Sequence, residues 1–192
     1  LYHPASGRMI ERQFKCPLGR GANFSQNPND GVCELRQGRN LLRLENSATP
    51  LEKRLLVELD DGTRIDARFS EQQPAFEPMS LCTPTAVNGW VYARKVAGVH
   101  CQGEVRSALG HYDLRELDAY AHHDWSAGYM RRETFWNWAC LSGEAQGRRV
   151  GLNLSCGVNE TSFTENCYWL DGQSVKVDSV RFEFDRDHPL KP

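Results

Sequence analysis

The chain has 192 residues, of which 40% are hydrophobic and 25% are charged, a composition that excludes fibrous and disordered proteins. Its 23 Lys and Arg against 25 Asp and Glu give a formal net charge of -2, so no overall basic field attracts nucleic acid. No stretch reaches the roughly 20 apolar residues that a membrane-spanning helix needs. We therefore expect a globular protein with no nucleic-acid partner and no integral membrane segment.

The beginning of the sequence is abrupt. It reads Leu1-Tyr2-His3-Pro4, without an initiator methionine or a turn leading into it. We therefore expect this chain to be a piece of a longer protein.

Short apolar runs separated by Gly, Asp and Asn indicate an all-β fold. The clearest signal is Leu55 to Phe69, where apolar residues at odd positions flank Asp60-Asp61-Gly62. A three-residue loop with Gly62 in the left-handed conformation keeps the apolar residues on one face. This register predicts the cross-strand pairs Val57 with Ile65 and Glu58 with Arg64.

Weaker signals continue the pattern along the chain. Gly31 to Glu45 is typical of a second hairpin turning at residues 37–40, and Gly89 to Lys95 is typical of a strand. Ser70 to Ala86 contains three prolines, which predicts a crossing without sustained pairing. A short helix is predicted at Asp113 to Ala121.

Four strands are predicted after Thr134, separated by Gly- and Asp-containing turns. Successive antiparallel strands favour up-and-down connectivity, and closure into a barrel is the usual way for such a sheet to hide its edges. The four segments are Phe135–Leu141, Arg149–Leu154, Cys167–Leu170 and Val175–Phe184.

The seven cysteines show neither a disulfide framework nor a metal-binding spacing, because their number is odd and no C-x2-C pair exists. We interpret them as reduced, mostly buried thiols of a cytoplasmic protein. We expect no cofactor.

Most of the chemically unusual residues lie between Ala121 and Asn166. His122 and His123 are adjacent and point to opposite faces of a strand, which argues against a shared metal ion, and we expect no metal site. Asp124 or Glu165 is a candidate proton carrier among aromatic side chains. The alternative is a structural ion pair of Asp124 with Arg131 or Arg132.

Aromatic and amide residues suggest a binding site in the same region. Trp136 and Trp138 share a strand face and are either core or the wall of a ligand cavity, with Asn137 on the opposite face. Asn153 and Asn166 lie on other strands, and their amides need partners if they are buried. No Gly-x-Ser-x-Gly elbow and no phosphate- or dinucleotide-binding glycine pattern is present.

The order of these motifs resembles family 2804 of the domains of unknown function. The resemblance covers most of residues 40 to 185, and the sequence departs from the family pattern at His122 and His123, where a small or apolar residue is more usual. The elements that carry it are Gly89-Trp90-Val91-Tyr92-Ala93-Arg94-Lys95, Gly103, Asp124-Trp125-x-x-Gly128-Tyr129, Arg132, Trp136-Asn137-Trp138-Ala139, Gly151-Leu152-Asn153, Glu165-Asn166 and Asp171-Gly172.

The resemblance implies an architecture and a ligand class rather than a reaction. It implies an antiparallel, lipocalin-like β-barrel, related to paired-barrel proteins that include carotenoid hydratases and suspected lipid carriers. Members are typically longer at the N-terminus, so we expect the C-terminal barrel of a two-barrel protein with part of the first. Residues 1–50 would be N-terminal strands and loops left from the preceding barrel, and residues 51–192 the barrel itself.

Three functions remain open on the sequence. The leading hypothesis is binding of a lipid- or isoprenoid-like amphipathic molecule in a barrel cavity. The second is a hydratase or isomerase of a terpenoid-like substrate, with Asp124 as general acid oriented by Arg131 or Arg132. The third is a structural or protein-binding barrel with a filled interior. For the first, the predicted lining residues are Tyr92, His123, Trp136, Asn137, Trp138, Asn153, Glu165 and Asn166, with Phe135 replacing the tryptophans if the other face points inward.

Overall fold

The computed structural model describes residues 1–71, 76–85, 88–130, 133–158, 163–183, 185 and 187. These residues form β-strands and one 3₁₀ turn, Pro17–Gly19, with no α-helix among them and no helix long and apolar enough to cross a membrane. The strands are β1 (Tyr2–His3), β2 (Arg8–Met9), β3 (Ala22–Asn23), β4 (Gly31–Gln37), β5 (Asn40–Ala48), β6 (Leu51–Glu58), β7 (Arg64–Ser70), β8 (Met79–Thr85), β9 (Gly89–Ser107), β10 (Gly110–Asp113), β11 (Tyr120–Gly128), β12 (Asn137–Ala145), β13 (Arg148–Cys156), β14 (Cys167–Leu170) and β15 (Gln173–Lys176).

The predicted all-β, antiparallel class is confirmed. The chain divides into two compact units, of which unit 1 comprises Leu1–Pro74 and Val99–Ala121, and unit 2 comprises Ala75–Gly98 and His122–Pro192. The domain boundary predicted at residue 50 stays a prediction.

Unit 1 is built on an antiparallel sheet in the order β10-β9-β7-β6-β5-β4-β3, and β1 pairs separately with β2. Strands β3 to β7 are neighbours in the sheet in the same order as in the chain, since short turns connect them. Val57, Ala67 and Phe69 are buried on one face of this sheet, while Leu41 is buried on the other face. Alternation of apolar and charged residues therefore sets the core of this unit.

The two predicted hairpins are confirmed in position, and the first is also confirmed in its predicted register. Val57 pairs with Ile65 and Glu58 with Arg64, and the Gly62 N–H donates to the Leu59 carbonyl at 3.1 Å across a three-residue loop. Gly62 has the left-handed φ of 84° that this loop requires. The second hairpin pairs β4 with β5 and turns between Gln37 and Asn40.

Replacing Gly62 with alanine is expected to lower the free energy of unfolding of unit 1 by about 1 kcal/mol, because a side chain strains a left-handed backbone. An added Cβ would meet no atom within 4 Å, so the cost is conformational and not steric. Gly143→Ala is the matched control, since its Cβ also has open space and its φ is not positive. Thermal unfolding followed by circular dichroism measures both. Equal melting temperatures for the two variants would contradict the expectation.

A lysine and a glutamate are fully enclosed in unit 1. The side chains of Lys53 and Glu71 are both 0% exposed, and their charged atoms are 3.6 Å apart. The Lys53 ammonium also donates to the Pro28 carbonyl at 2.7 Å and to Asn46 Oδ1 at 3.3 Å. Each charge therefore has polar partners, as a buried ion requires.

Unit 2 contains two groups of strands. Strands β8 and β11 each pair with β9, and β12, β13, β14 and β15 form a four-stranded antiparallel sheet in sequence order. Gly151 of this sheet lies so close to β9 that an added Cβ would be 2.5 Å from the carbonyl of Ala97. The two groups are therefore in direct backbone contact at this point.

The up-and-down order predicted after Thr134 is confirmed by β12 to β15. Among the strands that the structure describes, the recorded pairings leave these sheets open. What the structure shows is a set of antiparallel sheets, and the closed barrel stays a prediction.

Three details of the sequence prediction are wrong. Ser70 to Ala86 was expected to cross without sustained pairing, but β8 pairs with β9 throughout Met79–Thr85. Among the described strands β9 is the only partner of β8, and an edge strand tolerates proline. The helix predicted at Asp113 to Ala121 is absent: Asp113 ends β10, residues 114–118 form hydrogen-bonded turns, and Tyr120 begins β11. The last strand ends at Lys176, while Phe184 lies outside the described residues.

Candidate functional site

A lysine lies on the inward face of β9 in unit 2. Val91, Ala93, Lys95 and Ala97 alternate along the strand, and none of the four is more than 4% exposed. An ammonium group buried among apolar neighbours needs opposite charges, because desolvation of a lone ion costs several kcal/mol. Lys95 is therefore the residue on which the site is built.

Two carboxylates contact the Lys95 ammonium. Asp124 Oδ2 lies 2.9 Å from its Nζ and Glu165 Oε1 lies 3.0 Å from it. Burial lowers the pKa of Lys95, but the charges and hydrogen bonds of Glu165 and Asp124 outweigh burial, so the pKa of Lys95 is raised. We call Lys95, Asp124 and Glu165 the charged triad; with all three ionised it carries one excess negative charge.

Trp138 lies beside the triad. Its ring centroid is 5.8 Å from the Lys95 ammonium, within cation–π range. Its indole N–H donates to Asn153 Oδ1 at 3.0 Å, and the Asn153 amide donates to the Glu165 carbonyl at 2.9 Å. Asn153 is fully buried, and it uses both ends of its amide to hold Trp138 and Glu165 in place.

The triad is accessible from one side. Trp138 is 46% exposed and the Asp124 side chain 36%, whereas Lys95 and Glu165 are almost completely enclosed. The outer groups therefore meet solvent while the inner ion pair is shielded from it. A molecule that approaches Trp138 and Asp124 meets an aromatic face next to a carboxylate.

His122 completes the cluster. It is two residues before Asp124 on β11 and therefore shares its face, and its ring packs edge-on to Trp138 at 5.8 Å. Both ring nitrogens are buried, and neither has a hydrogen-bond partner among the residues that the structure describes. Such groups cost free energy unless a ligand or water satisfies them.

His122 is expected to make the stability of unit 2 fall as the pH decreases. Burial is the main cause that lowers its pKa, helped by the charge of Lys95, against the opposing carboxylates. Below a pH of about 6.5 the unfolded chain binds a proton that the folded protein does not bind, so unfolding is favoured. Between about pH 6.5 and 5.5, the free energy of unfolding of the wild type should therefore fall by about 1 kcal/mol more than that of His122→Gln.

Urea denaturation at the two pH values measures this difference. His111→Gln is the control, because His111 is 58% exposed in unit 1. If wild type and His122→Gln lose the same stability on acidification, the assignment to His122 is wrong.

The predicted site residues do not all lie together. Asp124, Trp138, Asn153 and Glu165 meet at the triad. Tyr92 and His123 are on the opposite faces of β9 and β11, where Tyr92 packs against Trp125 with ring centroids 5.9 Å apart. The side chains of Tyr92 and His123 therefore lie on a different face from the triad, and His123 is buried there.

The remaining predicted residues have other surroundings. Asn166 is 1% exposed and accepts the backbone N–H of Ser155 at 2.6 Å, a structural bond between strands. Asn137 is half-buried on the other face of β12 from Trp138, while Trp136 and Phe135 are exposed before that strand begins. Arg131 and Arg132 lie outside the described residues.

Sequence reasoning missed Lys95 as a site residue and assigned no role to His122. The signal for Lys95 was present, since a lysine occupies an inward position in the alternating series Val91, Ala93, Lys95 and Ala97. The cation expected to pair with Asp124 was an arginine close by in sequence. The one that the structure shows is on another strand.

The fold and this site define a class, namely all-β proteins of antiparallel sheets with a charged cluster held between strands. The chain belongs to the family Domain of unknown function (DUF2804), whose family model matches residues 2–192. No curated protein and no solved structure gives a significant match. The family predicted from the ordered motifs is confirmed.

Proposed function

We propose that unit 2 is a lipocalin-like module that binds an amphipathic small molecule, of lipid- or isoprenoid-like kind, at the charged triad. The observation that carries the proposal is the imidazole of His122, whose two ring nitrogens are buried with no hydrogen-bond partner among the described residues, next to a half-exposed tryptophan and an accessible carboxylate. A ligand with one polar end and an apolar body supplies partners for both kinds of group.

The excess negative charge of the triad selects the polar end. Lys95 has contacts with both carboxylates, so it is already neutralised by one of them and cannot balance a third anion. An amine or a hydroxyl group can donate to Asp124 and to His122, while a carboxylate would be repelled. We therefore favour a ligand whose head donates hydrogen bonds.

A lipocalin-like barrel is supported by the up-and-down order of β12 to β15 and by the direct contact of Gly151 with β9. The thiols are not mostly buried as expected, since only Cys167 is buried. The exposed thiols of Cys82 and Cys140 still support a cytoplasmic location, because exposed free cysteines persist best in a reducing compartment.

The geometry favours binding over acid catalysis by Asp124. Asp124 Oδ2 lies 2.9 Å from the Lys95 ammonium, so this oxygen accepts from Lys95. A hydratase using Asp124 as general acid would need the carboxyl to be directed at the reacting atom of its substrate.

Single-chain probes with identical tails test the proposal. Dodecylamine, dodecanol and dodecanoate are titrated separately, below their critical micelle concentrations, by isothermal titration calorimetry. We expect the amine and the alcohol to bind more tightly than the carboxylate, and Asp124→Asn to abolish the preference for the amine over the alcohol.

Trp138→Ala should weaken binding of both preferred probes by about tenfold, the effect of losing one well-packed aromatic contact. The matched control is Trp90→Ala, because Trp90 is also 46% exposed and lies on the face of β9 opposite Lys95. Absence of binding by every probe, or equal losses in the two tryptophan variants, would refute the assignment.

A further inference from the structure

We infer that unit 1 carries a second binding site, a cationic groove for a phosphoryl group, independent of the site proposed in unit 2. The groove has a volume of about 280 Å³. This is slightly below the range of about 300–1,000 Å³ for drug-sized ligands, and it suits a small anion or a phosphorylated head. It is lined by Arg68, Phe69, Ser70, His100, Cys101, Gln102, Arg115 and Asp118.

Two arginines of the groove flank one amide. Arg68 on β7 lies directly opposite Gln102 on β9 in the antiparallel register, and the two side chains share a face. The Arg115 guanidinium donates to Gln102 Oε1 at 2.6 Å. The register therefore places Arg68 beside Gln102, while Arg115 reaches the same residue from the turn that follows β10.

These two arginines differ from their neighbours in charge balance. Arg54 contacts Asp66 at 2.7 Å, Arg64 contacts Asp66 at 3.8 Å, and Arg106 contacts Glu104 at 2.8 Å. Within the part of the chain that the structure describes, neither Arg68 nor Arg115 has a carboxylate within ion-pair distance. The arginines that line the groove therefore form no direct ion pair among the described residues, although the charge of Arg68 still acts on the Asp66 carboxyl and helps to lower its pKa.

The segment that carries Arg115 is held in position before any ligand binds. The Leu114 N–H donates to the Gly103 carbonyl at 2.9 Å, and the Cys101 N–H donates to the Ala119 carbonyl at 2.8 Å, so both ends of the turn are fixed to β9. The Asp113 carboxylate also accepts the backbone N–H of Arg115 at 2.8 Å. A preformed site loses less conformational entropy on binding.

One carboxylate is present in the groove. Asp118 Oδ1 is 3.5 Å from His100 Nδ1, and its Oδ2 accepts from the Tyr120 hydroxyl at 3.3 Å. The two arginines of the lining carry two positive charges against the one negative charge of Asp118, which leaves one net positive charge. Asp118 therefore weakens anion binding without reversing it.

A phosphoryl group matches these donors better than a carboxylate does. Its three oxygens can accept bonds from two guanidinium groups at once, each in the paired geometry that arginine favours, while a carboxylate offers two oxygens. The ligand class is therefore inorganic phosphate or a small phosphate monoester.

The test is a titration of the 15N-labelled protein with inorganic phosphate and with glycerol 3-phosphate, followed by NMR. Saturable shifts are expected at Gln102, Arg115 and Cys101. Arg68→Gln and Arg115→Gln should each raise Kd by about tenfold or more, since each removes a charge-assisted contact. Asp118→Asn should lower Kd.

Arg64→Gln is the matched control, an exposed arginine on the same strand whose charge is paired with Asp66. It should leave Kd unchanged. The proposal is overturned if no saturable shift occurs up to about 20 mM phosphate, well above a Kd of about 1 mM. It is also overturned if Arg64→Gln weakens binding as much as the two groove variants, or if the protein binds only vesicles containing phosphatidic acid and phosphate does not compete.

Discussion

Replacing Lys95 with methionine is expected to lower the free energy of unfolding of unit 2 by about 3–5 kcal/mol, the cost of leaving buried charges without their partner. Glu165 is 3% exposed and would lose the ammonium that lies 3.0 Å away. Asp124 would lose the same partner at 2.9 Å but is more open to water. Most of the loss therefore comes from Glu165.

Urea denaturation followed by tryptophan fluorescence measures this effect in the right place, because all five tryptophans of the chain lie in unit 2. Lys15→Met, at an exposed position in unit 1, is the control and should change stability by less than about 0.5 kcal/mol. Adding Glu165→Gln to Lys95→Met should recover part of the loss, since it removes the stranded charge. A single variant as stable as the control would show that the triad is not needed for folding.

Replacing Trp169 with alanine is expected to cost about 3–5 kcal/mol, as for other large aromatic side chains removed from a core. Trp169 is 0% exposed, and its register partner on β13 is Gly151, the residue that touches β9. Its indole N–H donates to the Glu77 carbonyl at 2.7 Å, which ties the segment before β8 to β14. The side chain therefore fills volume and also fixes a connection.

Trp169→Phe separates these two contributions, because phenylalanine keeps most of the apolar volume and loses the hydrogen bond. We expect it to cost about 1–2 kcal/mol. Trp90→Ala is the control for removing an indole from a half-exposed site in the same unit. The expectation fails if Trp169→Ala and Trp90→Ala shift the urea midpoint equally.

The local parts of the fold were predictable from the sequence. The β6–β7 register followed from Asp60-Asp61-Gly62 and from alternation on either side, because turn geometry and the burial of one face both act over a few residues. β14 was predicted with its observed limits. The pairing of β8 was not predicted, since the effect of its proline depends on whether the strand is at an edge, which only the sheet order determines.

The sequence predicted the carboxylates, the amide and the tryptophan of the site, but it did not predict the lysine that joins them. Asp124 and Glu165 were predicted as candidate proton carriers and Trp138 as core or cavity wall. Asn153 was singled out because a buried amide needs partners. Lys95 is separated from Glu165 by 70 positions in the chain, and no local pattern links them. Alternation along a strand defines two faces but does not tell which of them carries the charged triad. That Tyr92 and His123 are on the other face could be known only once Lys95 was located.

The enclosed pair of Lys53 and Glu71 has a consequence for experiments at different ionic strengths. At about 0.15 M salt the screening length is about 8 Å, and exposed ion pairs such as Arg106 with Glu104 weaken as salt is added. Lys53 and Glu71 are both 0% exposed, so dissolved ions cannot come between them. Added salt should therefore weaken the exposed ion pairs of unit 1 while leaving the attraction between Lys53 and Glu71 almost unchanged.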